Sequence, residues 1–503
     1  MAKCSLALLD LLAGALIISS CSATPPPQGG TTQTAPSTLY PPPISSQPVT
    51  ARPTAATPSG APPAADNSPA ASYDLSVDFD YSAHHLKVQE KMTYTNWAQT
   101  TLGELLLLVI PNLRDAFVLD DLRWADGSTV VGASLDKQRL TVPLRDPLAS
   151  GQPVTLNLTY ELNLPQIPPP SQQTKPLPFG YSERQTNLTD WYPFVAPYRD
   201  GTGWIVHDPW AFGEFLLYDP ADFQVGIRLL NAPGSLVLAA SSPGKQENTA
   251  FSFSAHSVRN FVWSASPYYQ VAEQRVGNIR VLSYFFPLDA NAGKRAGSDA
   301  AAALKLYSRL FVPYPHETLS VVEADFLDGM EYDGLFFLSK GFYNLYDGSA
   351  NGYLTAISAH ETAHQWWYAL VGNDQDLDPW LDEGMATYCE SLFYENVYPK
   401  SLDWWWQTRV TYYQPSGPIN LAVSAYPGYE AYRNAVYLRS AEFLRDLRRQ
   451  IGDQAFFGFL HDLSAQMAGK QDTPQTFFEA LARHSSQDTA ALKAEYFQTT
   501  PAP

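Results

Sequence analysis

The stretch "AISAHETAHQWWYAL" (residues 356–370) places His360 and His364 four residues apart, with Glu361 directly after the first histidine. Side chains four residues apart lie on one face of an α-helix, about 6 Å from each other, so both imidazoles can point a nitrogen at one cation. Gly372 predicts the end of this helix. The apolar face of the helix would consist of Leu354, Ile357, Trp367 and Leu370.

A second "HET" begins at His316, but no histidine follows four residues later. We therefore expect no metal site there, because His316 has no partner to share an ion with. From ordinary residue frequencies, the full HExxH pattern arises by chance in roughly one chain in a hundred of this length. The alternative of solvated polar residues on a helix fits badly with the aromatic setting "HQWWY" (residues 364–368).

The segment "DPWLDEGMATYCESLFYE" (residues 378–395) offers the third protein ligand that a zinc ion needs. Pro379 is placed to open a helix, and Glu383 lies in its first turn, 19 residues after His364. That spacing suits the rest of one helix, a turn and an antiparallel return. Glu361 is then left beside the open coordination position, where it would accept a proton from water.

Composition excludes some classes of protein. The 503-residue chain is 45% hydrophobic and carries a formal net charge of −18, with 32 Lys and Arg against 50 Asp and Glu. Such a chain is long and apolar enough for two or three folded domains and is not a disordered protein. Nucleic acid is disfavoured as a partner, because its phosphates need a basic surface.

The N-terminus, "MAKCSLALLDLLAGALIISSC" (residues 1–21), resembles a bacterial lipoprotein signal peptide ending at a lipidated Cys21. This resemblance predicts an exported protein, anchored by lipid at the bacterial cell envelope outside the cytoplasm. The alternative is an unprocessed hydrophobic N-terminus, which Asp10 inside the apolar stretch favours. After cleavage, Cys389 would have no partner, so no disulfide is expected.

Residues 22–72 are rich in Pro, Ser, Thr and Ala and predict a disordered tether. From Tyr73 on, apolar residues alternate with polar ones, which predicts a β domain over 73–287. Near Pro287 the composition becomes helical, so we place a mainly helical domain at 288–503, with one further strand at 319–324. The predicted fold class is α+β.

At this point the chain resembles the gluzincin zinc aminopeptidases, the family of aminopeptidase N and the leukotriene-A hydrolase. Their signature, HExxH followed after eighteen residues by Glu in a "WLxEGxAxYxE" helix, is matched by "WLDEGMATYCE" (residues 380–390). The resemblance implies an antiparallel β saddle followed by a thermolysin-like catalytic domain. It also implies one Zn²⁺ held by His360, His364 and Glu383, with Glu361 as general base. The family's helical C-terminal domain is expected to be missing, because only a short helical tail follows.

A second family motif, G-x-M-E-N, binds the free α-amino group of the substrate. In "LDGMEYDGLFFL" (residues 327–338) the chain keeps Gly329, Met330 and Glu331, whereas Asp328 replaces the first glycine and Tyr332 the asparagine. By resemblance, Glu331 is the anchor of the amine and its neighbours bind the peptide. An exposed acidic residue in a turn is the alternative interpretation of this motif.

A third family feature is a tyrosine that hydrogen-bonds the oxyanion. The segment "AVYLRSAEFLRDLRRQIGDQAF" (residues 435–456) is similar to the family's helix and places Tyr437 in that role, with Tyr432 as a competitor. A second amine-binding residue from the β domain cannot be carried over from the family.

The resemblance implies a zinc metallopeptidase that removes N-terminal residues from peptides by metal-activated water attack on the first peptide bond. Two alternatives stay open. One is a zinc hydrolase without strict N-terminal specificity, which the altered residues Asp328 and Tyr332 motivate. The other is a non-catalytic lipoprotein that binds zinc and peptides, against which the presence of Glu361 argues.

Overall fold

The computed structural model describes residues 69–173 and 175–498. The predicted signal peptide, the lipidation residue Cys21 and the predicted tether as far as residue 68 lie outside the described residues. From Pro69 onward the chain forms one compact unit, so both predicted folded domains belong to a single body.

The first half of the described chain consists of β-strands, as the period-two pattern predicts. In the first strand, buried side chains alternate with less buried ones from Tyr73 to Phe79, because successive side chains of a strand point to opposite faces. The strands are β1 (Ala71–Asp80), β2 (His85–Thr95), β3 (Leu102–Leu108), β4 (Phe117–Trp124), β5 (Ser134–Asp136), β6 (Arg139–Leu148), β7 (Pro153–Asn163), β8 (Gly180–Tyr181), β9 (Thr186–Leu188), β10 (Phe194–Val195), β11 (Tyr198–Arg199), β12 (Gly203–Trp204), β13 (Ala221–Leu230), β14 (Val237–Ala240), β15 (Gly244–Glu247), β16 (Ala250–Val258) and β17 (Trp263–Ser266).

These strands form three main sheets. One has seven strands in the order β15-β16-β13-β1-β2-β7-β4, and two have four strands, β10-β3-β6-β5 and β14-β17-β9-β8. The antiparallel prediction is wrong for one pair, since β1 runs parallel to β13 with Tyr73 opposite Phe223. Parallel neighbours need a long crossover, which the intervening strands supply.

The second half carries the helices and a further sheet. Its strands are β18 (Gln270–Val276), β19 (Ile279–Phe285), β20 (Thr318–Ala324), β21 (Gly329–Tyr332), β22 (Leu335–Ser339), β23 (Val371–Gly372) and β24 (Lys470–Gln471). Its helices are α1 (Ala290–Leu310), α2 (Lys340–Asn344), α3 (Tyr353–Ala363), α4 (Glu383–Val397), α5 (Leu402–Trp405), α6 (Tyr429–Tyr432), α7 (Ser440–Ile451), α8 (Asp453–Gln466), α9 (Pro474–His484) and α10 (Ala490–Tyr496). A π-helical turn over Arg433–Arg439 joins α6 to α7.

The prediction of a single strand beyond Pro287 is wrong, because β21 and β22 follow β20 and join it in a sheet of the order β18-β19-β20-β22-β21. The hairpin β21–β22 turns at Asp333 and Gly334, and Gly334 has a φ of 78°. An Asp-Gly pair before the apolar run at 335–338 is a hairpin signal that favours such a turn. The hairpin places β21 at the edge of the sheet.

Helix α1 lies close against this sheet because two of its residues have no side chain to hold the surfaces apart. A Cβ on Gly293 would lie 2.1 Å from Cγ of Phe285, and one on Gly297 would lie 2.9 Å from Cβ of Ser283. The strand β19 that they touch precedes Pro287, so the sheet includes residues on both sides of the predicted domain boundary. The boundary itself stays a prediction.

Within residues 69–173 and 175–498, no helix combines the length and the apolar character that crossing a membrane requires.

Candidate active site

The HExxH sequence lies at the end of α3, which is shorter than its pattern predicts. The helix ends at Ala363, and His364 is its C-cap. After His364 the backbone leaves the α-helical hydrogen-bond pattern: the N–H of Ala369 donates to the carbonyl five residues earlier, that of His364, at 2.9 Å. Tyr368 has a φ of 136°. The side chain of Gln365 bonds the β21–β22 turn from both sides, at 2.9 Å and 3.0 Å, which holds this unwound segment in place.

Helix α4 brings the third predicted ligand to the two histidines. Asp382 caps it by accepting the N–H of Glu383 at 2.7 Å, so Glu383 lies in the first turn of α4, as predicted. Pro379 does not open this helix, because it begins a separate 3₁₀ turn over Pro379–Leu381. Gly384 lets α4 approach α7, because a Cβ there would lie 2.5 Å from Cβ of Ser440. The spacing of the sequence motif therefore corresponds to two packed helices.

The nitrogen and oxygen atoms of this set converge on one point. Nε2 of His360 lies 3.1 Å from Nε2 of His364 and 3.1 Å from Oε2 of Glu383, and Nε2 of His364 lies 3.5 Å from the same oxygen. All three side chains are buried. Two imidazole nitrogens that face each other beside a carboxylate are the donor set that zinc prefers.

Each histidine is oriented through its other nitrogen. Nδ1 of His364 lies 2.9 Å from the carbonyl of Trp367, and Nδ1 of His360 lies 2.9 Å from Oε1 of Glu390. Such partners fix the tautomer and the ring orientation of a metal ligand. The sequence analysis assigned no role to Glu390, although its distance of seven residues from Glu383 places it on the same face of α4.

Glu390 is itself held by two donors from the segment around α5. Trp405 Nε1 donates to its Oε2 at 2.8 Å, and Arg409 donates from Nε and Nη2 at 3.1 Å each. Burial raises the pKa of Glu390, but the charge of Arg409 and the bond to His360 outweigh burial and lower it. Glu390 is therefore a fixed negative charge behind the first ligand.

The edge strand β21 forms the other wall of the site. Gly329 lies against the predicted general base, since a Cβ there would be 2.0 Å from Oε1 of Glu361. Two residues on, Glu331 is 4% exposed and accepts a hydrogen bond from Nε2 of Gln375 at 3.0 Å. Ligand atoms of Glu331, Glu361 and His364 all lie within 4.8 Å of one another. The structure thus brings the residues of both motifs into one site.

Glu361 has an unusual environment. Its Oε2 is buried and has no hydrogen-bond partner among the described residues. Burial raises its pKa well above the usual range, whereas the nearby His360 and His364 act in the opposite direction. A carboxyl group with a raised pKa and a free oxygen beside two histidines is equipped to exchange a proton.

The two tyrosines that competed in the sequence are distinguished by their contacts. Tyr437 lies in the π-helical turn, donates to Oε1 of Glu383 at 2.8 Å and stacks over His360, with ring centroids 6.1 Å apart. Tyr432 is 1% exposed and packs against Phe212. Only Tyr437 reaches the predicted ligands, and burial followed by the charge of Glu383 raises its pKa well above 10, so it stays a donor.

Several buried acidic side chains lie around the site. Glu214, in the segment that leads into β13, has a pKa raised well above its usual value by burial and then by the charges of Glu383 and Glu331. Burial, and next the charge of Glu383, raise the pKa of Asp382 to about 8. Burial lowers the pKa of His360, but bonds to Glu383 and Glu390 raise it to about 9. The same negative field that favours a proton on His360 favours a metal cation.

His316 is not among the residues that converge on this site. Its Nε2 lies 2.7 Å from Oδ1 of Asp333, in the turn between β21 and β22. Asp333 also accepts the N–H of Arg259 at 3.0 Å. His316 therefore stabilises the hairpin that contains β21.

The part of the sequence that contains this site is similar to a known protein family. Residues 298–496 match the Peptidase family M1 domain. The chain is 29% identical over 205 residues to Aminopeptidase M1 of Arabidopsis thaliana, which is 37% of this chain and 23% of that protein. It is 36% identical over 123 residues to Aminopeptidase M1-D of Oryza sativa subsp. japonica, covering 23% of this chain and 14% of the relative. The match thus spans less than a quarter of either relative.

The fold has a counterpart among solved structures. The M1 zinc metallopeptidase from Deinococcus radiodurans superposes with a TM-score of 0.61 at 19% identity, covering 86% of this chain and 94% of that one. An E323A mutant of that metallopeptidase, bound to a Tyr-Ser-Ala substrate, gives a TM-score of 0.59 at 20% identity. The α+β fold of a β domain followed by a helical domain is therefore confirmed.

The fold resembles that of an M1 zinc metallopeptidase, and the convergent site contains the two histidines and the glutamate of the HExxH sequence. The match of residues 298–496 to the Peptidase family M1 domain agrees with the family that the sequence resemblance predicts.

Proposed function

We propose that the protein is a zinc-dependent aminopeptidase that removes the first residue of a peptide with a free N-terminus. One observation carries the proposal: Glu331 of the edge strand lies within ligand distance of both Glu361 and His364. If the Glu331 carboxylate holds the substrate's ammonium group, the first peptide bond, and no later one, lies beside Glu361.

The residues fit a single zinc ion. His360, His364 and Glu383 supply two nitrogens and one oxygen within 3.5 Å of each other in a buried site, and Glu390 orients the first ligand. Three protein ligands leave one position open, which is the arrangement of catalytic rather than structural zinc. When bound, zinc supplies a Lewis acid that polarises a carbonyl and increases the acidity of water.

The chain's own groups then have separate tasks. Glu361 accepts the proton of the attacking water at its free Oε2 and delivers it to the departing amine. Tyr437 donates its hydroxyl hydrogen to the oxygen that becomes negative during attack. Glu331, held by Gln375, pairs with the ammonium of the substrate. Burial raises the pKa of Glu331, and the charge of His364 lowers it, so a cation at this place keeps it ionised.

The test compares each free-amine peptide with its N-acetylated counterpart, using residues 69–503, with and without a chelator. We expect chelator-sensitive release of the first residue and no release after acetylation. Equal cleavage of acetylated peptides would replace the proposal with a zinc hydrolase that lacks N-terminal specificity. Bound zinc without any cleavage would favour the non-catalytic binding protein.

We further propose that the protein is attached to the bacterial cell envelope by lipid at Cys21, which supports a role outside the cytoplasm. The apolar run at 11–18, the small residues before Cys21 and the Pro-rich segment at 22–72 support this. Cells that express the full chain should incorporate labelled fatty acid into it. Incorporation that persists in Cys21→Ser would contradict the proposal.

A further inference from the structure

Two residues of the edge-strand segment differ from the family motif, and the structure separates them. Tyr332 is 3% exposed, and its carbonyl accepts a hydrogen bond from Gln365 at 3.0 Å, so it supports the hairpin. Asp328 precedes β21 and is exposed. Its φ of 65° lies in the left-handed region, which favours glycine and which Asp and Asn tolerate. Among these two departures, only Asp328 can touch a substrate.

Asp328 lies beside the catalytic cleft, because a Cβ on the next residue, Gly329, would be 2.0 Å from Oε1 of Glu361. Desolvation by the surrounding protein raises the pKa of Asp328 and outweighs the opposing effects of the Gly329 N–H bond and of the charges of Arg409 and His360. Asp328 is also the first charge that raises the pKa of Tyr429, after burial itself. These groups belong to α3, to the segment after α5 and to α6, and their charges interact with that of Asp328.

No counter-charge neutralises this carboxylate. Its Oδ1 accepts the N–H of Gly329 at 3.0 Å. Among the residues that the structure describes, no cation lies within ion-pair distance of it. Arg409, whose charge lowers the pKa of Asp328, is already paired with Glu390 at 3.1 Å. An unpaired negative charge at the opening of a cleft attracts positive ligands.

The order of residues along β21 says which part of a substrate Asp328 would meet. The amine anchor is Glu331, the general base lies against Gly329, and Asp328 comes next in the same direction. A peptide held by its amine at Glu331, with its first bond at Glu361, therefore brings its second residue to Asp328. This step rests on the proposed aminopeptidase function.

We propose that Asp328 is a specificity-determining residue that selects a cationic side chain, Lys or Arg, at the second position of the peptide substrate. The charge of Asp328 acts on the substrate residue that follows the cleaved bond. It does not select the first residue, whose side chain lies elsewhere in the site. Peptides with an acidic second residue are correspondingly disfavoured.

The experiment uses Ala-X-Ala-Ala-amide peptides with X as Lys, Gln or Glu, so that chain length and C-terminal charge stay constant. We expect the wild-type kcat/KM to be about tenfold higher for Lys than for Gln and lowest for Glu, with the difference shrinking at high salt. In Asp328→Asn, which keeps the backbone conformation and the acceptor for Gly329, the three values should become equal within about twofold.

Ratios between peptides within one variant do not depend on how much of the enzyme is active, so partial misfolding does not hide the result. Glu247→Gln, at an exposed position of β15, removes the same charge elsewhere and should keep the wild-type ratios. Equal values for Lys and Glu in the wild type, or ratios unchanged in Asp328→Asn, would overturn the inference and leave the aminopeptidase standing. No release from any peptide would overturn both.

Discussion

Two walls meet at the site, and their residues are secured in different ways. On the helical wall, each predicted zinc ligand has a further partner that fixes its position. Glu390 holds His360, and the carbonyl of Trp367 holds His364. The hydroxyl of Tyr437 donates to Glu383. On the strand wall, among the residues that the structure describes, the Glu331 side chain accepts a hydrogen bond from the neutral Gln375 and the Asp328 side chain accepts one from the backbone N–H of Gly329. The helical wall is therefore built to hold one geometry. The strand wall leaves negative charge free for a substrate.

This contrast matches what each wall has to do. A metal site needs ligands oriented before the ion arrives, because loose ligands weaken binding. A substrate has to come and go, so its charged contacts are left unpaired until it binds. Changes on the helical wall should consequently alter chemistry and metal affinity, whereas changes on the strand wall should alter substrate binding.

Glu361→Gln should have the largest effect, because Glu361 touches both walls and carries the proton. We expect kcat to fall by about 10³-fold or more, within the range of general-base contributions, while zinc remains bound. Release of the first residue in timed assays measures kcat, and mass spectrometry of the purified variant measures its zinc content. Glu317→Gln is the matched control, since it changes the exposed glutamate of the second "HET". A variant of Glu361 with near-normal turnover would remove it from the mechanism.

Tyr437→Phe should lower kcat by about 10²-fold, because it removes one donor to the developing oxyanion. The KM should change little, since this bond matters mainly in the transition state. Tyr432→Phe is the control, as its hydroxyl is buried and has no hydrogen-bond partner among described residues. If both variants lost activity equally, the packing of the two rings, 5.8 Å apart, would explain the loss.

Glu390→Gln should weaken zinc binding by about 10- to 100-fold, because it removes the charge that orients His360. Competition with a chelator of known affinity gives this value. The control Glu395→Gln lies on the same helix, where Glu395 pairs with Arg448 at 2.7 Å near the surface. Unchanged affinity in Glu390→Gln would show that the helical wall needs no second layer of support.

Residue patterns predicted the helical wall far better than the strand wall. Histidines four residues apart and a glutamate shortly after a proline depend on local spacing, so the positions of His360, His364 and Glu383 follow from the sequence. The early end of α3 does not, because it depends on Gln365 bonding a distant hairpin. The same holds for Glu214, which reaches the site from the β domain and has no motif around it.

The strand β21 was missed as an element although its residues were chosen as candidates. Its four residues are too few for a periodic pattern, and only the Asp-Gly turn after them indicated a hairpin. Its place at the sheet edge depends on pairing with β22, which neighbouring residues do not specify. The sequence pattern therefore identified Glu331 as a candidate amine-binding residue but did not predict that it lies on an edge strand.

Gln375→Leu should mainly affect the strand wall. It removes the donor that positions Glu331, a neutral hydrogen bond worth about 1 kcal/mol, so we expect KM for free-amine peptides to rise several-fold. The kcat should remain within about twofold, because within residues 69–173 and 175–498 Gln375 makes no hydrogen bond to the zinc ligands. Steady-state kinetics on one tripeptide separates the two constants. A loss confined to kcat would place Gln375 with the helical wall instead.

His316→Gln should have the smallest effect, because this histidine fastens the strand wall from behind. Burial lowers the pKa of His316, and the charge of Asp333 more than offsets this, so the net shift is upward. A raised pKa in the folded state stabilises the protein below the unfolded value near 6.5 and ceases to do so as the pH rises through the folded value. We expect the variant to lose about 1 kcal/mol of stability at pH 6 and less at pH 9. Thermal unfolding at both pH values measures this. An equal loss at both would show that His316 contributes through packing rather than charge.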